Sequence, residues 1–268
     1  MRKASGKKKR TGRKRTVYRG IIYILLSVAL VGGALWLSGS LFFRINRIQV
    51  QGTSRYGESA VIAVSGISEG DSPFFVDKAK TQKSILETFP YVSDVELVHQ
   101  LPGTIVIQIS ERKALGLVEQ GTCYWLMDGS GRLLEQVSGR TLAQMGIPVV
   151  RGLTFIKPAA GEDAAVPEGQ VDRWKAALSL LQKLEWYGIL SDVSQVDVAR
   201  THQLTLTYDD ERFLVLLGDV GNLDIKLPFL LSAVKEIRQG VSGVMDVSRT
   251  VEQKAASFLP DTAPNPVS

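Results

Sequence analysis

The segment LPGTIVIQISER, residues 101–112, decides the fold of the region around it. The Pro102-Gly103 pair predicts a tight turn, because proline fixes φ and glycine adopts conformations that other residues avoid. Ile105, Ile107 and Ile109 then alternate with other residues, which is the period-2 pattern of a strand with one face on a core. The segment therefore predicts a turn followed by a strand.

The residues before this turn predict four further elements. Ile48 and Val50 alternate with polar residues in a strand over 45–51 that Gly52 ends. The other three are a short helix over 57–65, a helix capped by Asp77 and a strand over 92–100. The apolar face of the second helix is predicted to contain Ala79, Ile85, Leu86 and Phe89, with Gln82 as a polar interruption. A three-stranded sheet with two helices on one face buries all of these, so we expect a small α+β domain over 44–113.

The chain from residue 114 onwards predicts a larger β domain. Residues 124–134 have the pattern of a hairpin with an Asp128-Gly129 turn. Further strands are predicted at 148–152, 193–198, 204–208, 213–218 and 243–248, and amphipathic helices at 171–184 and 223–237. Asp209-Asp210-Glu211 is predicted to be a solvated turn. We expect a mixed, mainly antiparallel domain with packed helices over 114–250, and a disordered, proline-containing tail over 251–268.

The N-terminus predicts where the protein resides. Residues 1–19 hold ten basic residues and no acidic one, and the 24 residues 20–43 are uncharged and mostly apolar. At about 1.5 Å per residue this run makes a helix of roughly 36 Å, which is long enough to cross a bilayer core. The positive-inside rule then predicts a single-pass protein with a cytoplasmic tail and with residues 44–268 outside the cytoplasm. A signal peptide is the alternative, but its apolar core is usually shorter.

The charge of the outer part argues against a nucleic-acid partner. The whole chain has 32 basic and 27 acidic residues, and ten of the basic residues lie in the tail. Residues 44–268 therefore hold 22 basic and 27 acidic residues, a net charge of −5. An acidic domain lacks the basic surface that binding to DNA requires.

Several of these motifs, in this order and at this spacing, resemble a known family. They are Ile45-x-x-Ile48-x-Val50-x-Gly52, Gly70, Phe89-Pro90-Tyr91-Val92-x-x-Val95 and Leu101-Pro102-Gly103-Thr104-Ile105-x-Ile107-x-Ile109-x-Glu111-Arg112. Together they look like the POTRA (polypeptide-transport-associated) domain that follows the membrane anchor in the FtsQ/DivIB family of bacterial cell-division proteins. Later pieces similar to the β domain of that family are Asp128-x-x-Gly131, Pro148 to Gly152, Gly218 with Lys226-Leu227, and Gly243 to Ser248.

The resemblance implies a non-enzymatic protein that anchors, scaffolds and regulates septal cell-wall assembly by binding other membrane division proteins. The implied partners are FtsB/DivIC-like and FtsL-like proteins, with a septal penicillin-binding protein as a further candidate. The implied location is the bacterial cell membrane, with enrichment at the division septum. In this family the terminal strand region of the β domain receives a segment of the FtsB/DivIC partner. The residues then expected to bind a partner are Val244, Met245, Asp246, Val247 and Ser248. The strand over 48–52 is a second candidate edge.

The residues themselves give no support for a catalytic, metal or cofactor site. Ser232 and Lys235 have the Ser-x-x-Lys spacing of a penicillin-binding protein, but no Ser-Asp-Asn or Lys-Thr-Gly completes that site. His99 and His202 are the only histidines, Cys123 is the only cysteine, and no phosphate-binding loop is present. We therefore expect no catalytic, cofactor-binding or metal-binding residue and no small-molecule substrate. Two alternatives stay open: an anchored cell-wall enzyme, and a POTRA protein of a transport or secretion system.

Overall fold

The computed structural model describes residues 21–33, 44–100, 102–139, 145–238, 240–250 and 256–261. Residues 21–33 are helical (α1). None of the helices in these described ranges is long and apolar enough to cross a membrane. The predicted basic tail, residues 1–19, lies outside the described residues, and so do residues 20 and 34–43 of the predicted membrane segment.

The predicted strand-helix-helix-strand-strand order of the first region is confirmed. Its elements are β1 (Arg47–Gln51), α2 (Glu58–Ser65), α3 (Lys78–Thr88), β2 (Val92–Gln100) and β3 (Thr104–Glu111). β3 lies between β1 and β2, and β1 runs parallel to it, with Ile48 beside Ile105 and Val50 beside Ile107. Ile105 and Ile107 are fully buried, so the alternating residues of LPGTIVIQISER lie at the centre of this sheet.

Gly103 allows the turn before β3 to lie directly against the residues that precede β1. Its carbonyl oxygen accepts hydrogen bonds from the backbone N–H groups of Asn46 (2.7 Å) and Arg47 (3.3 Å). A Cβ atom at position 103 would lie 2.4 Å from the carbonyl oxygen of Arg44 and 2.8 Å from the side-chain nitrogen of Asn46. Only a residue without Cβ avoids this overlap, so the Pro-Gly pair both turns the chain and joins β3 to the start of β1.

α3 confirms one expectation and corrects another. Asp77 caps the helix as predicted, because its carboxylate accepts a hydrogen bond from the N–H of Lys80 (3.1 Å). The buried face includes Thr81, which is 4% exposed, whereas the predicted Ala79 is exposed. Thr81 tolerates burial because its hydroxyl donates to the carbonyl oxygen of Ser65 at the end of α2 (2.9 Å).

The described residues from 114 onwards form nine strands and two helices, and the last strand lies beyond residue 250, where the β domain is predicted to end. The strands are β4 (Ala114–Gln120), β5 (Cys123–Asp128), β6 (Leu133–Ser138), β7 (Val149–Arg151), β8 (Val193–Asp197), β9 (Leu204–Tyr208), β10 (Phe213–Gly218), β11 (Gly243–Asp246) and β12 (Ser257–Pro260), and the helices are α4 (Val171–Trp186) and α5 (Leu223–Glu236). Their order is β12-β11-β10-β9-β8-β7-β4-β5-β6. Five neighbouring pairs are antiparallel and three are parallel, which confirms a mixed, mainly antiparallel sheet. Leu180 and Leu181 on α4 and Leu227 on α5 are fully buried in its core.

The backbone divides into two compact units, residues 1–82 with 96–109 and residues 83–95 with 110–268. This division passes through α3, β2 and β3. The sequence instead predicts a boundary near residue 113, and that boundary stays a prediction.

The prediction that residues 251–268 form a disordered tail is wrong for Ser257–Pro260, which form β12. β12 pairs antiparallel with β11, and the ring of Phe258 packs against that of Phe213 with the centroids 6.0 Å apart. A four-residue strand has little pattern of its own, and nearby prolines dominate the composition of the segment. The backbone pairing and the contact between the aromatic rings hold the strand in place.

A buried ion pair fixes the turn between β5 and β6. Asp128 is 5% exposed, and one of its carboxylate oxygens lies 2.7 Å from the guanidinium of Arg112, which also donates to the carbonyl oxygen of Val92 (3.0 Å). The other oxygen accepts hydrogen bonds from the N–H and hydroxyl of Ser130 and from the N–H of Arg132. Burial opposes ionisation of Asp128, but the hydrogen bonds from Ser130, Arg112 and Arg132 outweigh it and hold the pKa below its ordinary value.

Gly103→Ala is expected to destabilise the protein by about 1–3 kcal/mol, the usual cost of forcing atoms into a packed site. The added Cβ would overlap the backbone of Arg44, which cannot move without disturbing β1. The midpoint of urea unfolding measures the effect. Gly57→Ala is the matched control, since Gly57 has a φ of −65° and nothing within 4 Å of an added Cβ. Equal losses in both variants would contradict the role assigned to Gly103.

Asp128→Asn is expected to lower the free energy of unfolding at neutral pH and to make it change less as the pH is lowered into the acidic range. The folded-state pKa lies below the ordinary value of 3.8, so the ionised carboxylate stabilises the fold above that value. This contribution is lost as the pH falls through the lowered folded-state pKa. Free energies of unfolding in neutral and progressively acidic buffers check this. Asp163→Asn is the control, because its side chain is 84% exposed; the same reduced dependence on pH there would rule out a specific role for Asp128.

Candidate partner-binding edge

β11, the strand that carries the predicted partner-binding residues, is paired on both sides. It runs parallel to β10, with Val244 beside Leu214. On its other side β12 runs antiparallel, with Val244 beside Leu259. Among the described residues β12 is therefore the outermost strand at this end of the sheet.

The five predicted residues divide between core and surface. Met245 and Val247 are fully buried, whereas Val244, Asp246 and Ser248 are partly exposed. The carboxylate of Asp246 accepts a hydrogen bond from the N–H of Ser248 (2.8 Å). This local bond stabilises the turn that ends β11. The part of these residues in partner binding stays a prediction.

The backbone groups of β12 alternate between β11 and the outside. The N–H of Asp261 donates to the carbonyl oxygen of Ser242 (2.9 Å). Every second residue of an antiparallel strand bonds to the same neighbour, so Leu259 and Ser257 also face β11. The backbone groups of Phe258 and Pro260 therefore face away from it. Proline has no N–H, so the outer side of the strand offers one donor, on Phe258, and two carbonyl acceptors.

An apolar row crosses the last three strands on their outer face. Leu214 on β10, Val244 on β11 and Leu259 on β12 lie in register. Leu214 is 43% exposed and Leu259 is 71% exposed. The opposite face carries Met245 and Phe258, which pack on the core. The row ends at β12, so an apolar side chain on an added strand would continue it.

Arg212 fixes the loop that leads into β11. Its guanidinium lies 4.8 Å from the centroid of the Phe213 ring and donates to the carbonyl oxygens of Arg238 (3.3 Å) and Val241 (3.2 Å). It also pairs with the carboxylate of Asp209. Asp209 belongs to the acidic turn that the sequence predicts to be merely solvated, and this ion pair gives it a structural role.

Lys226, from the Lys-Leu motif, is 2% exposed and holds the loop after β10. Its ammonium group donates to the carboxylate (2.8 Å) and the carbonyl oxygen (2.9 Å) of Asp219, and the first of these bonds lowers the pKa of Asp219. Asp219 lines a groove of about 860 Å³ together with Arg200, Ser248 and Arg249. The pair thus stabilises one wall of a polar groove beside the end of β11.

The second predicted edge, the strand over 48–52, is partly capped. β1 is an outer strand of the three-stranded sheet. The N–H of Val50 donates to the carboxylate of Glu58 at the start of α2 (3.2 Å). A side chain therefore already satisfies one backbone donor on the outer side of β1.

The sequence candidates for chemistry lie in ordinary structural settings. The hydroxyl of Ser232 donates to the carbonyl oxygen of Pro228, one turn earlier on α5 (2.9 Å). Burial and then the charge of Lys78 lower the pKa of His99. Within the described ranges, no group of three His, Cys, Asp or Glu side chains could hold a metal ion. The expectation that the protein is not an enzyme stays a prediction.

Known proteins match both regions of the chain. A family model described as "POTRA domain, FtsQ-type" matches residues 43–112. The chain is 28% identical over 242 residues to the cell division protein FtsQ of Geotalea daltonii, a match that covers 84% of this chain and 83% of that protein. It is 25% identical over 212 residues to the cell division protein DivIB of Clostridium tetani, which covers 77% of each chain. For the DivIB protein of Clostridium acetobutylicum the identity is 29% over 190 residues, 69% of this chain and 71% of that protein.

The chain belongs to the FtsQ/DivIB family. The resemblance drawn from the motifs is confirmed, and a role in bacterial cell division follows from it. The match to the Geotalea protein extends well beyond the POTRA region, so it includes much of the nine-stranded domain.

The part of this FtsQ/DivIB protein that the sequence analysis missed is β12. The motif at 243–248 correctly predicted a strand, β11, but it is not the last one, because β12 lies in the segment predicted to be disordered. The signal that could have found it is the apolar pair Phe258-Leu259 directly before Pro260. Proline within a strand is confined to edges, which is where β12 lies.

Gly243→Ala is expected to detach β12 from β11. A Cβ at position 243 would lie 2.3 Å from the carbonyl oxygen of Leu259 and 2.8 Å from the Cα of Pro260, so the two strands would have to separate. Hydrogen exchange over 257–260 should increase many-fold, while the central strand β9 keeps its protection. Gly169→Ala, with nothing within 4 Å of an added Cβ, is the control. Unchanged exchange over 257–260 in Gly243→Ala would mean that this close approach does not hold β12.

Proposed function

We propose that this FtsQ/DivIB protein is a non-catalytic, membrane-anchored scaffold of the division complex. It binds an FtsB/DivIC-like partner at the edge formed by β12 and by residues 244–248 beneath it. An FtsL-like protein joins through that partner, and the assembled proteins regulate septal cell-wall synthesis. The observation that carries the proposal is the exposed apolar row that ends at an outer strand whose remaining backbone groups face outwards.

Two other edge strands, β1 and β6, have outward-facing backbone groups that are already hydrogen-bonded. The outer side of β1 has its Val50 N–H bonded to Glu58. At the start of β6, the N–H of Leu133 donates to the carbonyl oxygen of Glu162 and its carbonyl oxygen accepts from the N–H of Gly161, both at 2.8 Å. Among the residues that the structure describes, no such bond covers the outer side of β12, and Pro260 is the one position there that lacks an N–H. An extended segment binds where edge groups remain open, which favours β12.

The apolar row specifies the chemistry of the partner segment. A strand added to β12 places a side chain about 5 Å from that of Leu259. Because Leu259 is 71% exposed, an apolar residue at that position would cover it and extend the row from Leu214. The fitting partner is therefore a short extended segment with an apolar residue opposite Leu259.

The proposed anchor is the uncharged run over 20–43, with the basic residues 1–19 in the cytoplasm and the folded units outside it. Confinement to the same membrane raises the local concentration of partners that also carry anchors. A short strand edge can then bind them at the septum even if its affinity in solution is low.

Leu259→Lys is expected to abolish most of the interaction of the full chain with the FtsB/DivIC-like protein in a bacterial two-hybrid assay. A lysine at this position places a charge in the apolar row, and charged side chains on edge strands oppose strand addition. Ile225→Lys is the matched control, since Ile225 is an apolar residue on α5 that is 40% exposed. Equal effects of the two substitutions would count against recognition through the row.

Two further variants separate the ways in which the partner could use this edge. If the partner segment adds to the outer side of β12, a chain that ends at Ala256 should no longer bind it. If the partner segment instead replaces β12, this shortened chain should still bind it through β11. Asp246→Pro removes an N–H that faces the position of β12 and should weaken both modes. Binding that survives all of these variants, in proteins shown to be folded, would contradict recognition at this edge and favour β1.

A further inference from the structure

Two adjacent phenylalanines project from the first unit. Phe74 is 70% exposed and Phe75 is 83% exposed. They lie in a single 3-10 turn, Pro73–Phe75, whose first residue is buried. The N–H of Phe75 donates to the carbonyl oxygen of Ser72 (3.1 Å) and closes the turn. The buried proline and this bond hold the turn in place, so its two rings form a fixed apolar tip of the kind that marks a binding surface.

Backbone hydrogen bonds tie this turn to the first residues of the folded unit. The N–H of Gly70 donates to the carbonyl oxygen of Ile45 (2.7 Å), and the N–H of Ile45 donates to the carbonyl oxygen of Asp71 (2.9 Å). Ile45 is 1% exposed and thus anchored in the core. It is only two residues, at most about 8 Å of chain, from the end of the uncharged run at position 43. The tip therefore lies near the point where the chain leaves the proposed membrane anchor.

The charges on either side of the tip suit a lipid surface. Two exposed basic residues, Lys78 and Lys80, follow the tip closely in the chain. Two others, Arg44 and Arg47, lie on either side of Ile45, to which Gly70 and Asp71 are bonded. The acidic side chains in the same stretch are Glu69, Asp71 and Asp77, so the basic side chains exceed them by one. The carboxylates of Asp71 and Asp77 accept hydrogen bonds from backbone N–H groups of their own turns, at 2.9 Å from Ser68 and 3.1 Å from Lys80. Apolar rings beside basic side chains are typical of segments that lie in the headgroup region.

We infer that Phe74 and Phe75 insert into the headgroup region of the membrane and give this unit a second contact with the bilayer. The inference rests on the proposed anchoring through residues 20–43. A single point of attachment does not by itself set the orientation of a domain to the membrane, whereas a second contact restricts it. Since the parallel strands β1 and β3 both begin at this end of the unit, they point away from the bilayer.

Photo-crosslinking of the full chain in bacterial membranes tests the inference. The crosslinker p-benzoylphenylalanine replaces Phe75, which conserves the aromatic ring, and lipid adducts are identified by mass spectrometry. We expect lipid adducts in a yield comparable with that from Leu30, inside the proposed anchor. We expect several-fold less from Gln51, which is exposed at the opposite end of β1 in the same unit.

The pattern of adducts distinguishes the possible outcomes. Lipid adducts from positions 30 and 75 but not from position 51 support the inference. Lipid adducts from position 30 alone overturn it and leave the proposed anchor intact. Protein adducts in place of lipid adducts at position 75 overturn it in favour of a protein-binding tip. An absence of lipid adducts at position 30 would contradict both the proposed anchor and the inference that rests on it.

Discussion

Unpaired backbone groups at the edges of its two sheets are the constraint on which the organisation of this protein depends. Each N–H and C=O group needs a partner, and an edge strand leaves one side of its backbone open. A carboxylate from α2 bonds to β1, a loop bonds to the start of β6, and β12 covers β11. These devices differ in how easily they are undone. The loop at β6 is part of the same domain and stays near its strand, whereas a strand that is four residues long has few bonds to lose.

Two glycines solve the same packing problem in different parts of the chain. Gly103 meets the carbonyl oxygen of Arg44, and Gly243 meets that of Leu259, in both cases at a distance that excludes a side chain. The residues before β1 lie against the turn that leads into β3, and β12 lies against the start of β11. The backbone can approach so closely only where Cβ is missing. Strand pairing at both places therefore requires a residue without Cβ.

The sequence predicted the elements whose signals are local and missed those that depend on distant residues. The alternation at 105–109 and the cap at Asp77 each lie within one short segment, and both are confirmed. Burial of Thr81 depends on a carbonyl oxygen sixteen residues earlier, at Ser65. β12 depends on pairing with β11 and on the ring of Phe213, far away in the chain. Periodicity and composition say little about such contacts, and the local signal for β12, the apolar pair Phe258-Leu259, is too short to outweigh the prolines around it.

The outer side of β12 is too small to bind a partner tightly by itself. Three backbone groups of β12 face outwards without a bond to another described residue. Each adds a net stabilisation of about 1 kcal/mol when paired, and covering Leu259 adds about 2 kcal/mol. Association costs at least about 4 kcal/mol, which consumes most of that gain. Confinement to one membrane removes much of this cost because it supplies an effective concentration in the millimolar range. Pro260 weakens the edge further, because a partner carbonyl placed opposite it finds no N–H. The weakness of the edge therefore favours a partner that is tethered to the same membrane nearby.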